Sequence, residues 1–135
     1  MSPERSLEKT CRENFATLSD NWTWDARSET VVFPFATEHG AGVLGSMRKI
    51  LSDAWTVTNV SDAPARVQSL ANDMGGLLEG QALLTDRVND AEPMIFGAVW
   101  PWGNGTKISL RVGCDSGGAD RADWVSRLKT WFNVR

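Results

Sequence analysis

The stretch from Met94 to Cys114 restricts what this chain can fold into more than any other. Two strand-like runs, Met94–Trp102 and Thr106–Cys114, flank Gly103-Asn104-Gly105, residues that tolerate positive φ. In the second run Ile108, Leu110, Val112 and Cys114 alternate with Lys107, Ser109, Arg111 and Gly113. Such alternation buries one face of a strand and wets the other. An antiparallel hairpin is the expected product, and the remaining segments are fitted around it.

Upstream, Ser2-Pro3-Glu4 supplies an N-cap, a first-turn proline and a first-turn acid. Leu7, Cys11, Phe15 and Leu18 then form one apolar stripe, which predicts a helix from about Pro3 to Leu18. Ser19–Ser28 lacks periodicity and reads as a loop. Glu29–Thr37 is β-branched and aromatic, with Pro34 marking an edge or a bulge. Val43, Leu44, Met47, Ile50, Leu51 and Ala54 predict a second helix, and Trp55–Val60 a short strand. Ala65–Gly76 fits either a strand continuation or one helical turn. Leu77–Val88 reads as a buried strand, Asn89–Pro93 as a turn, and Ala122, Val125, Leu128 and Phe132 as the stripe of a closing helix.

The order is therefore α-β-α-β-β-β-β-α. It implies an α+β fold, an antiparallel sheet of four to five strands with helices packed mainly on one face. At 135 residues the chain is expected to be a single domain, with 1–28 an N-terminal helix and loop and 29–135 the sheet-and-helix core.

Charge excludes some partners. Fourteen basic against 17 acidic residues, and a pI near 5.1, disfavour nucleic acid and anionic membranes. No apolar run approaches the roughly 20 residues a membrane span requires, so none is expected. Cys11 and Cys114 are too few for a disulfide scaffold, and two free thiols are expected. The opening residues show no basic and apolar leader, which points to the cytoplasm, or to the bacterial envelope if a leader has been removed.

Candidate chemistry is sparse. Gly40-Ala-Gly42-Val-Leu-Gly45 matches the dinucleotide-binding spacing, with Asp62 twenty residues past Gly42. Yet the chain beyond supplies no further βα units to build a parallel sheet, so no cofactor is expected. His39 is the sole histidine and, with Glu38 beside it, lacks a catalytic partner. Asp115, Asp120 and Asp123 fit helix capping better than a cation loop, so no metal is expected. Cys114 has no assignable base and reads as a core thiol. No catalytic residue emerges.

The sharper signal is aromatic: seven Trp, five Phe and no Tyr. Trp22, Trp24, Trp100 and Trp102 lie in or beside expected turns, and Asn104 caps the hairpin. Indoles beside the rigid Pro101 make anchors for a protein groove, a sugar ring or an apolar ligand at low entropic cost. The expected function is a non-enzymatic protein-binding domain of inhibitor, immunity or adaptor type. Its binding residues would be Trp100, Trp102, Asn104, Trp22 and Trp24, and its partner another protein or a second copy of this chain. The alternative is a carrier of a small apolar ligand, with a pocket between sheet and last helix.

Trp55-Thr-Val-Thr58, Gly75-Gly-Leu-Leu-Glu-Gly80 and Thr106-Lys-Ile-Ser-Leu-Arg-Val-Gly113 before a helix resemble a family of small bacterial envelope domains of unknown function, often lipoproteins. The resemblance spans about Glu29 to Phe132 and implies a β-α-β-β-β-β-α layout. It carries no catalytic residue. The N-terminal helix and Ala65–Gly76 are additions to that pattern.

Overall fold

A computed structural model describes residues 3–86, 93–102, 104–116 and 120–134. The central hairpin is present as β5 (Met94–Trp102) and β6 (Lys107–Asp115), paired antiparallel along their whole length. Around it lie β1 (Thr23–Asp25), β2 (Thr30–Ala36), β3 (Asp53–Trp55) and β4 (Ala82–Thr85). The six strands run β1-β2-β6-β5-β4-β3, every pair antiparallel. Four α-helices, α1 (Pro3–Lys9), α2 (Gly40–Arg48), α3 (Ala65–Asp73) and α4 (Arg121–Trp131), complete the α+β fold.

Register sorts the side chains by face. Val31, Phe33, Leu84, Ile95, Val99, Ile108, Leu110 and Val112 form one apolar surface. Against it pack Cys11 and Phe15 from the N-terminal helical segment, Met47 and Leu51 from and just after α2, and Trp124, Leu128 and Trp131 from α4. The opposite face carries Leu83 and Phe96, and α3 covers these with Val67 and Ala71. Among the described residues helices thus lie mainly on one face, and α3 occupies the other.

Two glycines make this layering possible. A Cβ at Gly97 would sit 3.0 Å from Met47 Cε and 3.4 Å from Leu51 Cδ1, so these two side chains fill the space over β5. On the other face, a Cβ at Gly113 would fall 2.4 Å from Phe96 Cζ and 3.0 Å from Thr30 Cγ2. The Phe96 ring lies across β6 through the gap that Gly113 leaves.

The differences from the expected elements have local causes. The sheet has six strands rather than four to five, because Ser19–Ser28 contains β1. Three residues are too short to display alternation; only the pairing Trp24↔Val31 turns the segment into a strand. Trp55–Val60 is not a strand. The pairing ends at Trp55, and Asn59 Oδ1 accepts the Thr56 N–H at 2.7 Å while Val60 N–H bonds Thr56 O at 2.9 Å. That is a side-chain-closed turn in competition with a ladder. Ala65–Asp73 is a true helix whose stripe is Val67, Leu70, Ala71 and Met74. It stops at Gly75 and Gly76, both at positive φ, with Gly76 N–H bonding Ala71 O at 2.8 Å. Of the expected strand Leu77–Val88, Ala82–Thr85 pairs in the sheet, while Leu78 and Gln81 close a turn on each other and Gly80 has φ 87°; Arg87 and Val88 lie outside the described residues.

The first helix keeps its expected extent in three pieces. α1 passes into a π segment, Thr10–Phe15, and a 3-10 turn, Ala16–Leu18, with Cys11 and Phe15 fully buried. Pro34 sits where β1 no longer pairs with β2, an outer edge that needs no N–H donor. The expected turn residues Asn89–Glu92 and the glycines Gly103, Gly117 and Gly118 lie outside the described residues.

Gly113→Ala is expected to cost about 1–3 kcal/mol by overpacking against Phe96. Urea denaturation checks this, and Phe96→Leu in the same chain should recover part of the loss. An unchanged unfolding midpoint for the single variant would contradict the close contact.

Candidate functional site

Two surface features stand out from the packed core: the tip of the central hairpin, and a cleft on the α3 face. The tip projects because β4 stops opposite Val99, leaving Trp100, Pro101 and Trp102 unpaired on that side. Asn104 and Gly105 both adopt positive φ, 59° and 83°, and Gly105 N–H returns to Trp102 O at 3.2 Å to close the turn. Thr37 ties the tip to the end of β2, its hydroxyl donating to Gly105 O at 2.6 Å and its N–H to Thr106 O at 3.0 Å. Gly105 and Thr106 are thereby tied to the end of β2.

Trp102 is 46% exposed. Its Nε1–H donates to Ser109 Oγ at 2.8 Å, and Lys107 Nζ stands 5.3 Å from the ring centroid. One edge of the indole is therefore fixed while the ring stays open to solvent. Trp100 lies on the same face, half-buried, and lines the cleft. Leu78, 69% exposed, belongs to the Leu78–Gln81 turn whose Gly80 approaches Pro101.

The other two candidate indoles are elsewhere. Trp22 is a core residue, contrary to its expected exposure. It packs edge-on against Phe33 and Phe132 at 4.5 and 4.8 Å, and its Nε1–H donates to Ala16 O. Trp24 is half-buried with Lys129 Nζ 4.8 Å from its ring. Alternation over β1 faces it toward α4, and so short a strand could not announce this. Trp100, Trp102 and Asn104 share the hairpin end; Trp22 and Trp24 do not join them.

The cleft, with a volume of about 420 Å³, lies between α3, the β1–β2 turn, the ends of β5 and β6, and the start of α4. Three Arg–carboxylate pairs stand around it. Arg111 bonds Asp25 at 2.5 Å and tethers the β1–β2 turn to β6. Arg66 bonds Asp115 at 2.7 Å and joins α3 to β6. Arg121 reaches Glu29 at 2.7 Å and links α4 to the start of β2. Periodicity marked Arg111 as merely solvent-facing. That its partner is Asp25, 86 residues away, has no signature along the chain.

Burial alone would raise the Asp25 carboxyl pKa. Hydrogen bonds from Arg111, the Arg27 N–H and Ser28, with the Arg111 charge, outweigh it and hold the group below its ordinary value of 3.8. Cys114, on the cleft wall, behaves oppositely: burial first, then the Asp115 charge, push its thiol up to about 12. Cys11 is raised as well, by burial and by its neighbour Cys114. Both thiols are free and neither is set up as a nucleophile.

The remaining motifs resolve simply. Gly40, Gly42 and Gly45 lie inside α2, and β2 pairs antiparallel with both neighbours, so they do not sit in a parallel βαβ unit. His39 and Glu38 meet at 3.8 Å in a 3-10 turn, contrary to the opposed directions an extended chain would give, and both are well exposed. Asp120 caps α4 by accepting the Asp123 N–H, and Asp123 pairs with Arg127. Among the described residues no group of three or more His, Cys, Asp or Glu is placed to hold a metal, and no helix is long and apolar enough to cross a membrane. Comparison with family models, curated proteins and solved structures finds no match to this chain. Function is therefore argued from the geometry.

Because the folded-state pKa of Asp25 is depressed, its contribution to stability is present above pH 3.8 and is lost as pH falls through the folded value. The stability gap between wild type and Asp25→Asn, from urea unfolding, should be widest near pH 7 and shrink progressively as pH falls below 3.8. A gap independent of pH would count against the pairing. Native Cys114 should resist iodoacetamide near neutral pH and react once the chain is unfolded; rapid labelling of folded protein would contradict its raised pKa.

Proposed function

We propose that this chain is a non-enzymatic protein-binding domain whose recognition element is the β5–β6 hairpin tip. The observation that carries the reading is Trp102: a large indole 46% exposed, yet oriented by Ser109 and Lys107. An aromatic anchor already held in one orientation loses little freedom on binding, and this is what makes such residues dominate interfaces. Trp100, Pro101 and Asn104 border it along the hairpin. The partner suited to this surface is a protein with an apolar pocket for the indole, of the kind an inhibitor, immunity or adaptor factor engages.

The test is capture from lysate of the native host on immobilised protein. Trp102→Ala should weaken retention of a specific partner by about 30-fold or more, the scale of a central Trp anchor, with an unchanged circular dichroism spectrum. Trp22→Phe, a change in the core, should leave retention intact provided the fold survives. A partner held equally by wild type and Trp102→Ala would overturn the assignment of the tip.

A further inference from the structure

A second site is written into the cleft on the α3 face, and it differs in chemistry from the hairpin tip. Arg111 forms its floor. The side chain is 27% exposed, and its Nη1 alone makes the contacts to Asp25 and Ser28. Among the described residues no acceptor meets its Nε or Nη2. No fully buried side-chain nitrogen in the described structure lacks a partner, so this edge is reached by solvent. The Asp25 and Ser28 contacts fix the guanidinium plane, and the Nε–Nη2 edge offers two parallel donors. That fork matches the two oxygens of a carboxylate.

The rest of the lining decides what can accompany such a group. Trp100, Phe96, Leu70 and Met74 make an apolar wall, and Arg27 contributes a second cation that has no ion-pair partner among the described residues. Arg27, Arg111, Arg121 and Arg66, the last bonded to Asp115, face Asp25, Glu29, Asp73 and Asp115, so positive and negative charges balance around the cleft. A ligand with a single negative charge seated on the Arg111 edge and a neutral body against Trp100 brings the least unpaired charge into that balance. The volume, about 420 Å³, lies in the range of small-molecule sites.

We propose that this cleft binds a small monocarboxylate with a flat apolar body, its carboxylate bidentate on Arg111 and its body against the Trp100 wall. The site shares the Trp100 wall with the hairpin tip but does not involve Trp102, so either reading can fail without the other.

Phenylacetate and octanoate serve as probes, titrated into the full chain by calorimetry and followed by tryptophan fluorescence. Phenylacetate should bind saturably, and phenylacetamide, of the same shape without the charge, about tenfold or more weaker. Arg111→Lys keeps the charge but loses the planar donor pair, and should weaken phenylacetate about tenfold. Met74→Trp, which narrows the cleft without touching the Arg111–Asp25 pair, should also weaken it and keeps the test decisive if Arg111→Lys folds poorly. No saturable binding of either carboxylate up to about ten millimolar overturns the proposal. So does amide binding equal to acid, phosphate binding as tight as phenylacetate, or phenylacetate binding unchanged in Met74→Trp.

Discussion

The structure depends on the close approach that Gly97 and Gly113 permit on opposite faces of one hairpin. At Gly97 the missing side chain lets Met47 and Leu51 settle onto β5; at Gly113 it lets the Phe96 ring lie across β6. Each removes a side chain from the middle of the sheet so that a larger one can fill the space at interior packing density. The helical layer on one side and α3 on the other both rest on this pair of strands. β2 and β4 then extend the hairpin to either side, and the three-residue strands β1 and β3 end it. Short edges offer few unpaired backbone groups to a stray strand, a common protection against edge-to-edge association.

The same arrangement creates both candidate surfaces. Because α3 covers only the β3–β4–β5 side of its face, the floor around Arg111 and Trp100 is left open between α3 and the β1–β2 turn. Because β4 is shorter than β5, the hairpin end stands clear of its neighbour and carries Trp102 with it. The three Arg–carboxylate pairs around the cleft hold its walls in place: α3, α4 and the β1–β2 turn are each tied by one. Exposed pairs of this kind contribute little stability each. The Arg66–Asp115 and Arg111–Asp25 pairs, partly withdrawn from water, matter more for the position of the elements they join.

The aromatic residues show how far local reasoning reaches. Trp22 and Trp102 both flank turn-like residues, and no periodicity separates them. Trp22 is buried because the loop leading into β1 folds back under Phe33 and Phe132, a contact spanning 110 residues. Trp102 is exposed because, among the described residues, no helix packs over its end of the sheet. The Asp25–Arg111 and Arg66–Asp115 pairs were equally invisible, since their members lie 86 and 49 residues apart.

Alternation in β6, the apolar stripes of α2 and α4, and the glycine-rich hairpin turn each arise within one or two turns of chain. The sequence by itself therefore determined the class of fold, the central hairpin and its inward face. Short strands such as β1 and β3 exist only through their partners, and α3 competed with a strand reading until the sheet offered it Leu83 and Phe96 to cover. The tertiary structure alone decided which indole faces solvent and which charges enclose a cleft. Burial and ion pairing at such distances are properties of the assembled chain, not of any segment within it.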